Sequence, residues 1–213
     1  MNKELTELVF ILDRSGSMNG LEKDTIGGFN SMIDKQRKEE GDCLVSVVLF
    51  NQRSDVLYDR ISLKEVPKME DKDYIASGCT ALIDALGGAI KHIRSVHKYI
   101  REEDVPARTV FVITTDGLEN ASHRYSSDQV KRMVAEQKEK GWEFLFLGAN
   151  IDAVETAKMY GIDRDRAVKY VNDDVGHLKN FSVLSKTISG FRAKGTIDAD
   201  WSEEIEEDYK KRG

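Results

Sequence analysis

The sequence predicts an α/β domain with a doubly wound, mostly parallel sheet, one antiparallel edge strand and helices on both faces. Three observations predict it. Four short runs, at 8–12 (LVFIL), 44–50 (LVSVVLF), 109–114 (TVFVIT) and 144–149 (FLFLGA), are almost continuously apolar and rich in Val, Ile and Phe, as strands buried on both faces must be. Segments between them repeat apolar residues at helical spacing, and strand–helix alternation implies parallel pairing through right-handed crossovers. Finally, only a few residues separate 44–50 from a further strand pattern at 56–61. That is too short for a crossover helix, so those two strands should be antiparallel, with 56–61 at the edge.

In chain order, Ile26, Phe29 and Ile33 mark the first helical face after the strand at 8–12. Leu82, Ala85, Leu86, Ala89, Ile90, Ile93 and Val96 mark the longest helical face, and Val130, Met133 and Val134 the next. A strand is expected at 167–171, and Val175, Leu178, Phe181, Leu184, Ile188 and Phe191 describe the last helix. Ser126 with Gln129 resembles a capping box, and Gly41, Gly141 and Gly161 stand just past helix ends. Gly27 and Gly28 interrupt the first helix at about 1 kcal/mol each relative to alanine, which implies close packing, expected against the loop after the first strand. From 192 the apolar pattern fades, and 198–208 holds seven acids and no base. The reading is therefore one domain over 1–190 and a loosely held acidic tail over 191–213.

Composition bounds the function. With 213 residues, 40% hydrophobic and 33% charged, the chain is that of a folded globular domain rather than a disordered or membrane protein. No apolar run approaches the roughly 20 residues a membrane span needs, and the amino terminus shows no apolar leader, so no membrane association and a cytoplasmic location are expected. Net charge is −6, without a basic cluster interleaved with aromatics, which argues against nucleic acid. Cys43 and Cys79 lack C-x-x-C spacing and are expected as reduced thiols. His92, His97, His123 and His177 share no spacing and are expected in surface or packing roles. His123, seven residues after Asp116, is the one that could approach a site there.

Chemistry concentrates at three loops. The first strand ends in Asp13-Arg14-Ser15-Gly16-Ser17, where alternate side chains of a tight turn can converge on one point. The fourth strand ends in Thr114-Thr115-Asp116-Gly117, and Ser77-Gly78-Cys79-Thr80-Ala81 leads into the longest helix. In a doubly wound sheet the carboxyl ends of the strands are where ligands bind. Asp13, Ser15, Ser17, Thr80 and Asp116 are all hard oxygen donors, suited to Mg²⁺, Mn²⁺ or Ca²⁺ and unsuited to zinc or copper. Singly, each has a plain reading as a turn or cap residue, but none of those readings explains a convergence of three loops. Glu119 and Asn120, beside Asp116, could touch a partner or simply face water.

The combination D-R-S-G-S, G-C-T and T-T-D-G closely resembles the metal-ion-dependent adhesion site of von Willebrand factor type A domains, over roughly residues 5–190. T-T-D-G-L-E-N-A-S and L-G-A-N-I-D-A-V-E-T-A resemble a group of free-standing bacterial members. The resemblance implies direct ligation by Ser15, Ser17 and Thr80, with Asp13 and Asp116 acting largely through water. It also implies a protein partner that completes the ion with a carboxylate, the acidic tail being a candidate donor through self-association. An adaptor subunit for a separate ATPase is the alternative, since the chain has no P-loop. A metal-dependent phosphatase with Asp13 as nucleophile is disfavoured because Ser15 stands where such enzymes carry an acid/base aspartate. A dinucleotide enzyme is disfavoured because no G-x-G-x-x-G follows the first strand. No enzymatic activity is expected.

Overall fold

The computed structural model describes residues 1–213. Its six-stranded sheet comprises β1 (Asn2–Asp13), β2 (Asp42–Phe50), β3 (Ser54–Ser62), β4 (Pro106–Thr115), β5 (Trp142–Gly148) and β6 (Ala167–Lys169), in the order β3-β2-β1-β4-β5-β6. All pairs are parallel except β2 with β3, where Val45 faces Ile61 and Phe50 faces Ser54. The antiparallel edge strand is where the short connector required it. β1 lies between β2 and β4, so the loops after β1 and β4 open side by side.

The helices are α1 (Glu22–Gln36), α2 (Leu82–Tyr99), α3 (Ser127–Lys138), α4 (Ala153–Met159), α5 (Asp174–Lys194) and α6 (Glu203–Arg212). Alternate residues of β1 feed two cores. Leu8, Phe10 and Leu12 pack with α1, α5 and α6, and Val9 and Ile11 pack with α2, α3 and α4. That alternation between two covered faces is why each central strand reads as an unbroken apolar run. The capping box at Ser126 and Gln129 is formed, and Gly41, Gly141 and Gly161 all have positive φ. No helix is long and apolar enough to cross a membrane.

Three expectations are corrected. β1 begins at Asn2, paired there with Pro106, ahead of the apolar run because its first residues are polar and leave no apolar signal, and Glu7 within it is fully buried and held by Arg60 and His97. Gly28 does not abut the loop after β1: a Cβ there would lie 2.3 Å from the Phe181 ring, so the glycine serves the α1–α5 contact, and Gly27 has open space.

The third concerns the carboxyl-terminal segment, which is no loose tail. α5 continues to Lys194, where Gly195 ends it in the left-handed conformation, and the chain folds back. Ile197, Trp201 and Ile205 are buried in the core under α5 and β6. The Trp201 indole donates to the Asp165 carbonyl at 2.8 Å. The acids lie on the outer side of an amphipathic turn and helix. Glu204 pairs with Lys186, Asp208 with Arg212 and Glu207 with Lys211, so these carboxylates are engaged within α5 and α6.

Candidate metal site

Asp13 ends β1 with its side chain 1% exposed, and its carboxylate organises both neighbouring loops. Oδ1 accepts from the Ser15 amide at 2.7 Å, while Oδ2 accepts from the Thr115 hydroxyl at 2.8 Å and the Asp116 amide at 3.2 Å. The Tyr74 hydroxyl donates to the Asp13 carbonyl. Burial pushes the Tyr74 phenol upward, with Asp13 adding to the effect, so it stays a donor.

Backbone bonds stitch the third loop to the first. Gly16 donates to the Gly78 carbonyl and Ser77 to the Arg14 carbonyl, both at 2.9 Å, with Gly78 at φ 77°. Thr80 donates its amide to Asn120 Oδ1 at 2.9 Å, and its carbonyl accepts from the Asn120 and Ala121 amides. Asn120 is thus a brace for Thr80. Glu119 is one too, accepting from the Ile83, Ala121 and Ser122 amides and the Ser122 hydroxyl. His123 donates its amide to Asp84, and no ring interaction joins it to the site.

The five oxygen-bearing residues therefore come to one place. Ser15 Oγ and Ser17 Oγ are 3.0 Å apart. A Cβ on Gly117 would stand 2.9 Å from Thr80 Oγ1 and 3.6 Å from Ser17 Oγ, so the chain after Asp116 passes beside both hydroxyls and a side chain there would crowd Thr80. Ser15, Thr80 and Asp116 are buried and Ser17 is exposed, which leaves the cluster open to solvent on one side.

Asp116 carries the most informative atom. Its Oδ1 accepts from the Asn150 amide, but its Oδ2 is buried without a hydrogen-bond partner. Burial raises the carboxyl above the usual range. Asn150 and Ser17 lower it, Asp13 raises it and Asn172 lowers it. Neither Ser17 nor Asn172 makes a hydrogen bond of ordinary geometry to Oδ2. A buried carboxylate oxygen without a donor is costly unless a positive charge meets it. With an all-oxygen donor set, the residues fit a hard divalent cation.

Asn150, Thr115 and Tyr74 were not singled out in the sequence. Thr115 lies inside the T-T-D-G motif and was legible there. Asn150 has φ 51°, a left-handed conformation that asparagine tolerates, and this turns its amide toward Asp116. Tyr74 reaches Asp13 across 61 residues and has no local signal.

Beyond Asn172, His177 is buried with its Nε2 2.9 Å from Asn172 Oδ1. Burial lowers its pKa from 6.5 to about 4, partly opposed by Asp173. The folded protein holds this ring neutral, so the unfolded chain binds more protons between those values and stability falls as pH drops across them. The full shift corresponds to about 3 kcal/mol. Urea midpoints should therefore fall further between about pH 7 and pH 4 in the wild type than in His177→Gln; equal losses would contradict this assignment.

No family sequence model matches the chain, and no curated protein matches it. Solved structures do. Proximal thread matrix protein 1 from the mussel byssus, in a form described with a zinc-occupied MIDAS motif, is similar at a TM-score of 0.59 and 16% identity, covering 89% of this chain and 47% of that one. A von Willebrand factor type A protein from Catenulispora acidiphila is similar at 0.54 and 15% identity, covering 88% and 43%. The vWF domain of the type V pili tip protein Mfa5 from Porphyromonas gingivalis is similar at 0.62 and 11% identity, covering 91% and 98%. The chain spans about half the length of the first two structures and nearly all of the third.

Proposed function

We propose that this chain, whose fold is that of a von Willebrand factor type A domain, is a protein-binding module. In this reading Asp13, Ser15, Ser17, Thr80 and Asp116 hold one divalent cation, and an acidic side chain of a protein partner completes it. The observation that carries the reading is the buried, unpartnered Asp116 Oδ2 beside three convergent hydroxyls. When bound, the cation supplies the positive charge that a partner carboxylate meets. Three of the five side chains are neutral, so that charge is not exhausted within the chain. Oxygen donors favour Mg²⁺ or Mn²⁺, and the zinc described for the mussel protein makes Zn²⁺ a necessary comparison. Exposed Leu118 and Ile75, in the segments next to Asp116 and Ser77, give the rim an apolar component. A partner acid flanked by apolar residues suits it.

The proposal contains no catalytic role, because Ser15 cannot act as a general acid at neutral pH. The full chain should show no phosphate-ester turnover that Asp13→Ala abolishes. Binding is tested with a panel of glutamate-bearing peptides and host proteins on immobilised protein, in Mg²⁺ and in chelator. Retention in Mg²⁺ that is lost in chelator and in Ser17→Ala is expected; equal retention in all three would contradict the proposal.

A further inference from the structure

The amino ends of the strands, opposite the metal loops, carry an open cavity of about 720 Å³ between α2, α3 and the first residues of β4 and β5. Small-molecule sites commonly have this size. Lys91, Arg94, Lys98 and Lys140 line it, and no aspartate or glutamate does, although the chain as a whole carries −6. Arg94 is paired with Glu136 at 3.2 Å, while the three lysines have no acidic partner.

A second observation is independent of charge. Gln137, in the wall of the same cavity, is completely buried, and neither its Oε1 nor its Nε2 has a hydrogen-bond partner. The other completely buried glutamine shows that the fold can satisfy such a group. Gln36 donates to the Ser185 carbonyl at 2.8 Å and accepts from Arg192 at 3.1 Å. An unpaired buried amide is destabilising, and a cavity wall is where an incoming ligand could supply its missing bonds. On the rim, the Tyr99 ring is 78% exposed with Lys98 above it.

We propose that this cavity binds an adenine mononucleotide, with its phosphate on Lys91, Lys98 and Lys140, its base edge on the Gln137 amide and its ring against Tyr99. A glutamine amide offers one acceptor beside one donor. Adenine presents the complementary pair at N6 and N7, whereas the corresponding edge of guanine presents two acceptors. Gln137 is covered in the unliganded chain, so binding requires a local rearrangement of the cavity wall to bring its amide to the ligand. The site is separate from the metal loops and stands or falls without them.

The test is calorimetric titration of the full chain with AMP, GMP and inorganic phosphate, with Trp142, which borders the cavity, as a fluorescent reporter. AMP should bind saturably and more tightly than either GMP or phosphate. Gln137→Leu should weaken AMP at least about tenfold and abolish the preference over GMP, without lowering the melting temperature, because an apolar side chain of similar shape replaces an unsatisfied one. Lys98→Gln with Lys140→Gln, both at exposed positions, should weaken AMP and phosphate together, and decides the matter if the Gln137 variant fails to fold. Absence of saturable AMP binding, AMP binding no tighter than phosphate, or AMP binding unchanged in the lysine variant would each overturn the proposal.

Discussion

Asp13→Ala should abolish divalent-cation binding and also lower the stability of the metal-free protein by about 3 kcal/mol or more. The carboxylate is buried and accepts from the Ser15 amide, the Thr115 hydroxyl and the Asp116 amide. Alanine leaves the Ser15 and Asp116 amides without their acceptor, at roughly 1–3 kcal/mol for each unsatisfied group, partly recovered where water enters the loop, while the Thr115 hydroxyl keeps a longer bond to the Gly117 carbonyl at 3.3 Å. The same deletion releases the first and fourth strand loops from one another, so the remaining ligands lose their geometry. Ser17→Ala is the contrasting control. Its exposed hydroxyl makes one hydrogen bond, to Ser15, so stability should change little while cation affinity falls. Urea unfolding of both variants in chelator checks the difference. Equal stability of Asp13→Ala and wild type would show that the carboxylate does not organise the loops.

Trp201→Ala should be among the most destabilising single changes in the molecule, at about 3–5 kcal/mol. The side chain is buried in the core shared with α5 and β6, and its indole is satisfied by Asp165. Truncation removes the ring and leaves the Asp165 carbonyl without that donor. Were 191–213 a loose tail, the same substitution would be silent. Thermal and chemical unfolding distinguish the two, with a melting temperature near wild type as the contradicting result. Metal affinity measured on a chain ending at Gly190 would not isolate a ligand role for the acids, because that shortening also strips Ile197, Trp201 and Ile205 from the core.

These two residues show what the sequence made legible. Asp13 was readable because strand burial and a three-residue turn are local, and the runs through Leu12 and Ile113 announce where two neighbouring strands end. That β1 and β4 are neighbours was only a condition for their ends to share one ion; strand alternation does not fix it, and the sheet order supplies it. Trp201 was missed. Ile197, Trp201 and Ile205 do recur at helical spacing, i, i+4 and i+8, but this narrow stripe with four acids between its members was outweighed by the charge of the segment, and what buries it is the α5–β6 surface, distant in sequence. The same holds for Glu7, whose partners Arg60 and His97 lie 53 and 90 residues away. Asn150 and Gly28 were misjudged or missed because their roles are set by Asp116 and Phe181, contacts that no local pattern encodes.

The most direct test of the metal site is calorimetric titration of chelator-treated wild type with Mg²⁺, Mn²⁺, Ca²⁺ and Zn²⁺, beside Thr80→Val. Valine keeps the size of threonine but removes the hydroxyl that lies beside Gly117. The account predicts one saturable cation per chain in the wild type, favouring Mg²⁺ or Mn²⁺, and a marked loss of affinity in Thr80→Val with the fold retained. No saturable binding by any of the four ions, or wild-type affinity in the valine variant, would contradict it.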